Sequence, residues 1–247
     1  MAPEQHGPSP ARREALRERR VAPSILSADF AALGSQVREV LDAGARVIHV
    51  DVMDGQFVPP ITFGAVVVGA LADLVHDAGA LIDVHMMVAR PERHIDDIAR
   101  AGADSITIHV EATPHVHYTL QSIRDAGCTA GAAICPSTPI ATLEDVARDA
   151  LDLALCMSVN PGWGSQSFIP HSLSKLERLR RMLPEEVAVE VDGGIHEQTV
   201  GPVVQAGANL LVTGSGVFGS DDPAEAYARI ASAAGVGAAR GEAGPRR

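Results

Sequence analysis

A short phrase of alanine and glycine recurs along this sequence and restricts the possible folds more than any other feature. Each copy follows a stretch with helical periodicity and precedes an apolar run rich in β-branched residues. A glycine in the left-handed conformation commonly ends a helix, so each copy predicts a junction from a helix to a strand. The copies are Ala43-Gly44-Ala45, Ala78-Gly79-Ala80, Ala101-Gly102-Ala103, Ala126-Gly127-Cys128 and Ala206-Gly207-Ala208.

The junctions predict eight strands, with a helical stretch after each. The strands are expected at 21–27, 46–53, 81–88, 105–111, 129–135, 151–159, 187–192 and 209–214. Eight alternating units in a chain of 247 residues predict an α/β fold, a single (β/α)8 TIM barrel, with a doubly wound open sheet as the alternative. We expect the barrel to span 21–234, between a flexible basic N-terminal extension at 1–20 and a flexible C-terminal tail at 235–247.

Charge and cysteine content limit the partners and the compartment. The formal net charge is -11, and basic residues concentrate at the two ends, which argues against nucleic acid or an anionic membrane as a partner. Cys128, Cys135 and Cys156 lack metal-ligand spacing and lie in or beside apolar runs, as buried thiols of a reducing compartment do. The sequence contains neither a signal-peptide pattern nor an apolar run of about 18 residues, so we expect a cytoplasmic protein.

Polar side chains interrupt three of the predicted strands near their C-terminal ends. His49 and Asp51 alternate with apolar residues in the second strand, as His85 does in the third, and Asp192 ends the seventh. Side chains alternate across a strand, so these four point to the inside of the barrel. Active sites of this fold lie at the C-terminal ends of its strands, so the four side chains should meet at one mouth.

Two imidazoles and two carboxylates are a mixed nitrogen and oxygen ligand set. Such a set suits one divalent transition metal, Zn²⁺, Fe²⁺, Mn²⁺ or Co²⁺, better than Ca²⁺ or Mg²⁺. A single histidine or carboxylate of this kind is more often a polar group of the barrel core whose hydrogen bonds are satisfied. We keep that interpretation for Asp83 and His109. A cation facing a ketone would stabilise an enediolate, so the set indicates proton abstraction next to a carbonyl.

Glycines cluster after three successive strands. They lie in Gly162-Trp163-Gly164-Ser165, Gly193-Gly194 and Gly214-Ser215-Gly216. Glycines let backbone N–H groups turn toward an anion, and the loops after strands 7 and 8 of this fold often bind phosphate. The sequence has neither a Walker lysine nor a dinucleotide fingerprint, so a small phosphorylated metabolite fits better than a nucleotide.

Residues 21 to about 230 resemble the ribulose-phosphate 3-epimerase family. The motifs that carry the resemblance are long and correctly ordered. They are Pro23 to Asp29 (PSILSAD), His49 to Gly55 (HVDVMDG) with Phe57-Val58-Pro59, Asp83 to Met87 (DVHMM), Met157 to Gly162 (MSVNPG), Glu190 to Gly194 (EVDGG) and Gly214-Ser215.

The resemblance implies a role for each matching residue. His49, Asp51, His85 and Asp192 would bind the metal, and Asp51 and Asp192 would exchange the proton. Met53, Met87 and Met157 would line the cavity that holds the enediolate. Substrate contacts would come from Ser24, His85, Gly162, Trp163, Gly164, Ser165, Gly193, Gly194, Gly214 and Ser215.

The chain departs from the family pattern around the substrate. The family's PGFGGQ is replaced by Pro161-Gly162-Trp163-Gly164-Ser165-Gln166, its GSAIF by Gly214 to Phe218 (GSGVF), and its usual Asn by Pro60. Ser165 would cost about 1 kcal/mol if its loop requires a left-handed residue. The metal and acid-base residues are unchanged, so these departures bear on substrate identity more than on reaction type.

We therefore predict a metal-dependent epimerase that interconverts D-ribulose 5-phosphate and D-xylulose 5-phosphate. This reaction belongs to the pentose phosphate pathway of carbohydrate metabolism. One alternative is a 3-epimerase of a ketohexose phosphate such as D-allulose 6-phosphate, which Trp163 keeps open. A second alternative is a non-catalytic barrel that binds a phosphosugar. The partner is expected to be a small phosphorylated ketose, and a homo-oligomer is left open.

Overall fold

Eight parallel strands form one sheet in the computed structural model, which describes residues 7–236. The strands are β1 Arg20–Pro23, β2 Val47–Met53, β3 Leu81–Met87, β4 Ser105–His109, β5 Thr129–Ile134, β6 Leu153–Met157, β7 Ala188–Asp192 and β8 Leu210–Thr213. The sheet order is β1-β8-β7-β6-β5-β4-β3-β2. A parallel bridge between Ser24 and His49 joins its two edges, which closes the predicted (β/α)8 barrel.

The helices surround the barrel and follow strands in sequence, except α1, which precedes β1. They are α1 Pro10–Arg17, α2 Leu33–Asp42, α3 Ala65–Asp77, α4 Ile95–Arg100, α5 Val116–Asp125, α6 Ser172–Met182, α7 Glu197–Gln205, α8 Ser215–Phe218 and α9 Pro223–Ala233. Each alanine that opens a recurring phrase is the C-cap of its helix. The glycine that follows has a positive φ in all five phrases, so the predicted junctions are confirmed.

The connection between β5 and β6 differs from the expected pattern. It holds a 3-10 turn at Ile140–Leu143, and turns follow to residue 150 in place of an α-helix. Leu143 and Val146 are buried against the core there, and Val146 O accepts from both Ala150 N and Leu151 N. Tertiary burial of these side chains therefore determines this segment more than helical periodicity does.

The N-terminal segment also differs from the flexible extension expected at residues 1–20. From Pro10 to Arg17 it forms α1, whose Leu16 is only 1% exposed. Arg12 pairs with Asp104 at 2.9 Å and Arg13 pairs with Asp152 at 3.1 Å. The basic residues therefore dock the helix on buried carboxylates, and residues 1–6 lie outside the described part of the chain.

The tail expected at 235–247 is described only at its start. Gly235 has a φ of 70° after α9, and Val236 packs against the core. The remaining residues, 237–247, lie outside the described range.

Apolar side chains fill two main regions, and a third small group consists of Met53, Val58 and Met87. The larger region lies between the sheet and the surrounding helices, where α3 contributes Val68, Leu71 and Val75. The smaller region lies inside the barrel and includes Leu16 of α1 together with Leu153 of β6. Within residues 7–236, no helix has the combination of length and apolar character needed to cross a membrane.

Candidate active site

The register of β2 and β3 places the polar residues of the barrel interior in layers. His49 lies beside Asp83, Asp51 beside His85, and Met53 beside Met87. Because side chains alternate across each strand, all of these residues occupy the interior face. The layers rise toward the C-terminal ends of the strands, so the methionine layer lies nearest the mouth.

The four predicted ligands meet in one cluster, which we call the His49 cluster. Its members are His49, Asp51, His85 and Asp192. One donor atom from each lies within 4.8 Å of the others. Asp51 Oδ1 is 3.3 Å from His49 Nε2 and 3.1 Å from His85 Nδ1, and Asp192 Oδ2 is 3.8 Å from that same Nδ1. Two nitrogens and two oxygens at these distances could hold one divalent ion.

A second layer beneath the cluster determines which nitrogen of His49 faces it. Asp83 Oδ2 lies 2.7 Å from His49 Nδ1, so that nitrogen donates to the carboxylate. His49 Nε2 is buried and has no hydrogen-bond partner. A buried imidazole nitrogen that faces carboxylates is satisfied either by a proton or by a bound cation.

Glu190 completes this second layer. Burial and the charge of Asp83 raise the pKa of Glu190 well above its usual range. The raised pKa favours the protonated form of this buried carboxyl beside the charged Asp83. Asp83 was expected to be an ordinary core group, but it contacts a residue of the His49 cluster.

The two carboxylates of the cluster have different electrostatic environments. Burial works to raise the pKa of Asp51, but His49 and His85 lower it well below its usual range. Burial and the charge of Asp51 raise the pKa of Asp192 to about 7. Asp51 is thus ionised at neutral pH while Asp192 readily holds a proton, a separation that a base and an acid in one site could use.

A cavity of about 350 Å³ lies above the cluster at the C-terminal end of the barrel. Asp51 and Asp192 line it, whereas His49 and His85 are fully buried beneath them. Nine of the ten predicted substrate-binding residues and all three predicted methionines line the cavity, and His85 is the exception. The lining thus includes Ser24, Met53, Met87, Met157, Gly162, Trp163, Gly164, Ser165, Gly193, Gly194, Gly214 and Ser215.

Ser24 connects the wall of this cavity to the His49 cluster. Its hydroxyl donates to Asp51 Oδ2 at 2.5 Å. The same hydroxyl accepts from Leu26 N and so caps the 3-10 turn Ile25–Ser27. The chain leaving β1 therefore orients a carboxylate of β2.

Two loops of the cavity require glycine for space as well as for conformation. A Cβ atom on Gly193 would lie 2.4 Å from Val159 Cγ2, and one on Gly194 would lie 2.6 Å from Phe168 N. Both residues also have positive φ angles. The backbone after β7 can therefore approach the cavity closely only without side chains.

The loop after β6 carries the departures from the family pattern. Ser165 has a φ of 58°, which places it in the left-handed region. Trp163 is 56% exposed at the cavity wall. Gln166, for which the sequence predicted no role, donates from Nε2 to Asn160 O at 2.6 Å and Trp163 O at 2.8 Å, so it holds the loop together.

The three cysteines are free thiols away from the His49 cluster. Cys128 and Cys156 are buried as expected, but Cys135 is partly exposed. Burial raises the pKa of the Cys135 thiol to about 12. None of the three is a reactive thiolate at neutral pH.

Comparisons with known proteins found matches in sequence and in fold. The sequence model of the ribulose-phosphate 3 epimerase family matches residues 20–218. The chain is 47% identical over 215 residues to the ribulose-phosphate 3-epimerase of Bacillus subtilis, covering 85% of this chain and 97% of that protein. It is 50% identical over 215 residues to the enzyme of that name from Synechocystis, with 85% and 92% covered.

Among solved structures, the thiamine phosphate pyrophosphorylase of Pyrococcus furiosus superposes with a TM-score of 0.65 at 17% identity. The match covers 91% of this chain and 98% of that one. At this identity the likeness concerns the barrel fold alone.

Proposed function

The chain belongs to the ribulose-phosphate 3-epimerase family and is an epimerase of that class, and we propose that it inverts carbon 3 of D-ribulose 5-phosphate by a metal-dependent two-base mechanism. The observation that carries this proposal is the His49 cluster beneath the cavity. It supplies a cation site and two carboxylates with separated pKa values in one place.

The metal part of the proposal assigns His49, Asp51, His85 and Asp192 as the residues that hold one divalent transition ion. Zn²⁺, Fe²⁺, Mn²⁺ and Co²⁺ all accept this ligand set. When bound, such an ion supplies positive charge that stabilises an enediolate. The buried and unpartnered Nε2 of His49 supports this assignment.

The proton transfer is assigned to the two carboxylates that line the cavity. Asp51, which is ionised, accepts the proton from carbon 3 of D-ribulose 5-phosphate. Asp192, which readily holds a proton, donates one to the opposite face and so inverts the carbon. Two carboxylates are needed because a single rigid base reaches only one face of a planar enediolate.

The remaining cavity wall is assigned to the sugar and its phosphate. The glycine loops after β6, β7 and β8 present backbone N–H groups to the dianion. Met53, Met87 and Met157 are nearly completely buried and supply an apolar surface beside the reacting carbon. Exclusion of water by this surface strengthens the electrostatic interactions of the two carboxylates.

Turnover in D₂O tests the two-base assignment. We expect the first D-xylulose 5-phosphate formed to carry deuterium at carbon 3, while recovered substrate carries little. Asp51→Asn and Asp192→Asn should each lower kcat by about 10²-fold or more. Metal content is measured in parallel because both substitutions also change a ligand. Equal deuterium entry into substrate and product at initial rates would contradict the assignment and favour one exchanging base.

The substrate is tested by comparing pentulose and hexulose phosphates on the same preparation. We expect a higher kcat/KM for D-ribulose 5-phosphate than for D-allulose 6-phosphate, and very poor turnover of unphosphorylated ribulose. The large side chain of Trp163 at the cavity wall is the feature that favours the hexulose alternative. A reversed preference that Trp163→Phe restores to the pentulose would establish that alternative.

A further inference from the structure

A row of three side chains extends from His85 of the His49 cluster across the C-terminal end of β4. His85 Nε2 is 2.9 Å from His109 Nε2, and His109 Nδ1 is 3.1 Å from Glu111 Oε2. Both imidazoles are fully buried, whereas a quarter of the Glu111 side chain is exposed. We call His85, His109 and Glu111 the His109 triad.

Glu111 is held in a position where it can only accept hydrogen bonds. Its Oε1 accepts from Cys135 N at 2.8 Å and from the Thr138 hydroxyl. Burial works to raise the pKa of Glu111, but the hydrogen bonds from His109, Thr138 and Cys135 outweigh it and lower that pKa to about 2. The carboxylate is therefore ionised, and the hydrogen between it and His109 belongs to His109 Nδ1.

This hydrogen determines the arrangement of the next ring. The contact of 2.9 Å between the two Nε2 atoms needs one donor and one acceptor, so a His109 ring with its hydrogen on Nδ1 accepts from His85 Nε2. A neutral His85 then has a bare Nδ1, and that atom faces Asp51 Oδ1 at 3.1 Å. Two electron-rich atoms at this distance repel each other unless a proton or a metal ion binds them, so a bare Nδ1 is free to take a metal ion.

We propose that Glu111 and His109 are positioning residues that hold His85 in the tautomer with Nδ1 free for the metal. The inference rests on the proposed metal site. It parallels the contact of Asp83 with His49, which leaves Nε2 of that ring free. The two imidazoles thus present different nitrogens to one point, because the partner of each ring occupies its other nitrogen.

A competing arrangement uses the same residues differently. Donor atoms of His109, Glu111 and Cys135 lie within 4.8 Å of one another and could themselves hold an ion. An ion on His109 Nδ1 would leave the hydrogen of His109 on its Nε2, which would then donate to His85 Nε2. His85 would therefore carry its own hydrogen on Nδ1 and could not bind the metal through that atom. The hydrogen bonds that already occupy Glu111 and the raised pKa of the Cys135 thiol favour the positioning role.

The experiment compares Glu111→Ala with Cys135→Ala as a matched control. Zn²⁺ affinity is measured by competition with a chelator at pH 8, and folding is checked by circular dichroism. Loss of an outer hydrogen-bond partner of a ligating histidine typically weakens metal binding by about 10–100-fold, which is the change expected for Glu111→Ala. Cys135→Ala should bind Zn²⁺ as the unaltered protein does.

A second variant and a spectroscopic measurement keep the test decisive. Glu111→Gln retains an acceptor oxygen and should recover most of the lost affinity, and Glu111→Leu, which lacks an acceptor as Glu111→Ala does, replaces Glu111→Ala if that variant does not fold. Long-range ¹H–¹⁵N correlation spectra of the Zn²⁺-loaded protein should show the hydrogen of His85 on Nε2 and that of His109 on Nδ1. A merely structural role for Glu111 would leave this pattern unchanged in Glu111→Ala.

Three results would overturn the inference. They are equal Zn²⁺ affinity in Glu111→Ala and the unaltered protein, a hydrogen on His85 Nδ1, or a second Zn²⁺ per chain that Cys135→Ala removes. A failure of the proposed metal site is distinguishable, because the unaltered protein itself would then bind no Zn²⁺. None of these measurements requires a sugar phosphate.

Discussion

Ser165 combines an L-residue with a backbone conformation that favours glycine. Its φ is 58°, and it lines the cavity beside Gly164. An L-residue in the left-handed region costs roughly 1–2 kcal/mol. The sequence indicated this cost only on the condition that the loop requires a left-handed residue at position 165. The structure places Ser165 in that conformation, so the condition is met.

Ser165→Gly should lower KM for D-ribulose 5-phosphate by up to about fivefold, the equivalent of about 1 kcal/mol, and leave kcat nearly unchanged. In this variant, the loop conformation that binds the substrate no longer carries the steric cost of a side chain at a positive φ. Steady-state kinetics of both variants measures the effect. Arg90→Gly is the control, because Arg90 has a φ of 56° and lies outside the set of cavity residues. Loss of turnover in Ser165→Gly would contradict this account and give the hydroxyl a catalytic role.

At the scale of elements, α1 closes the end of the barrel opposite the active site. Leu16 enters the interior beside Leu153 and Leu210. Asp104 pairs with Arg12 and also accepts a hydrogen bond from Ile82 N at the start of β3. In the same way, Asp152 pairs with Arg13 and accepts a hydrogen bond from Ala130 N in β5. The helix is therefore bound to the strand starts, and it precedes the region matched by the family sequence model.

Leu16→Ala should destabilise the protein by about 2–5 kcal/mol, because it leaves a cavity in a closed interior. Equilibrium unfolding in urea measures the loss. The kcat/KM of the folded variant should not change, since the chemistry lies at the other end of the strands. Val66→Ala serves as the control because Val66 is 86% exposed. An unfolding free energy equal to that of the unaltered protein would show that α1 contributes little to stability.

At the scale of the whole molecule, closure of the barrel brings charges from distant parts of the sequence together. The His49 cluster joins β2, β3 and β7. Burial works to lower the pKa of His49, but Asp51, Asp83 and Glu190 raise it well above its usual range. The protein without metal therefore holds protons on His49 and, in part, on Asp192, whose pKa is raised to about 7.

Metal affinity should rise steeply with pH. A raised pKa means that His49, and Asp192 in part, must release a proton before each can act as a ligand. Each displaced proton increases the apparent affinity about tenfold per pH unit below the pKa of its group. Competition titrations with Co²⁺ at pH 6, 7 and 8 measure the slope, and a pH indicator in weak buffer measures the released protons. A Co²⁺ affinity that does not change over this range would contradict the protonated states of His49 and Asp192.

The number and order of the strands could be predicted from the sequence, because helix ends and strand alternation are local properties of short segments. The four residues of the His49 cluster could be identified in the same way, since the C-terminal ends of parallel strands must meet at one mouth. The sequence could not decide whether the segment with Arg12, Arg13 and Leu16 is flexible or docked. Only the folded molecule decided this, because the partners of these residues lie about ninety or more residues away. The roles of Asp83, His109 and Glu111 depended on it too, because a tautomer or a pKa is determined by distances of a few ångströms between side chains of different strands.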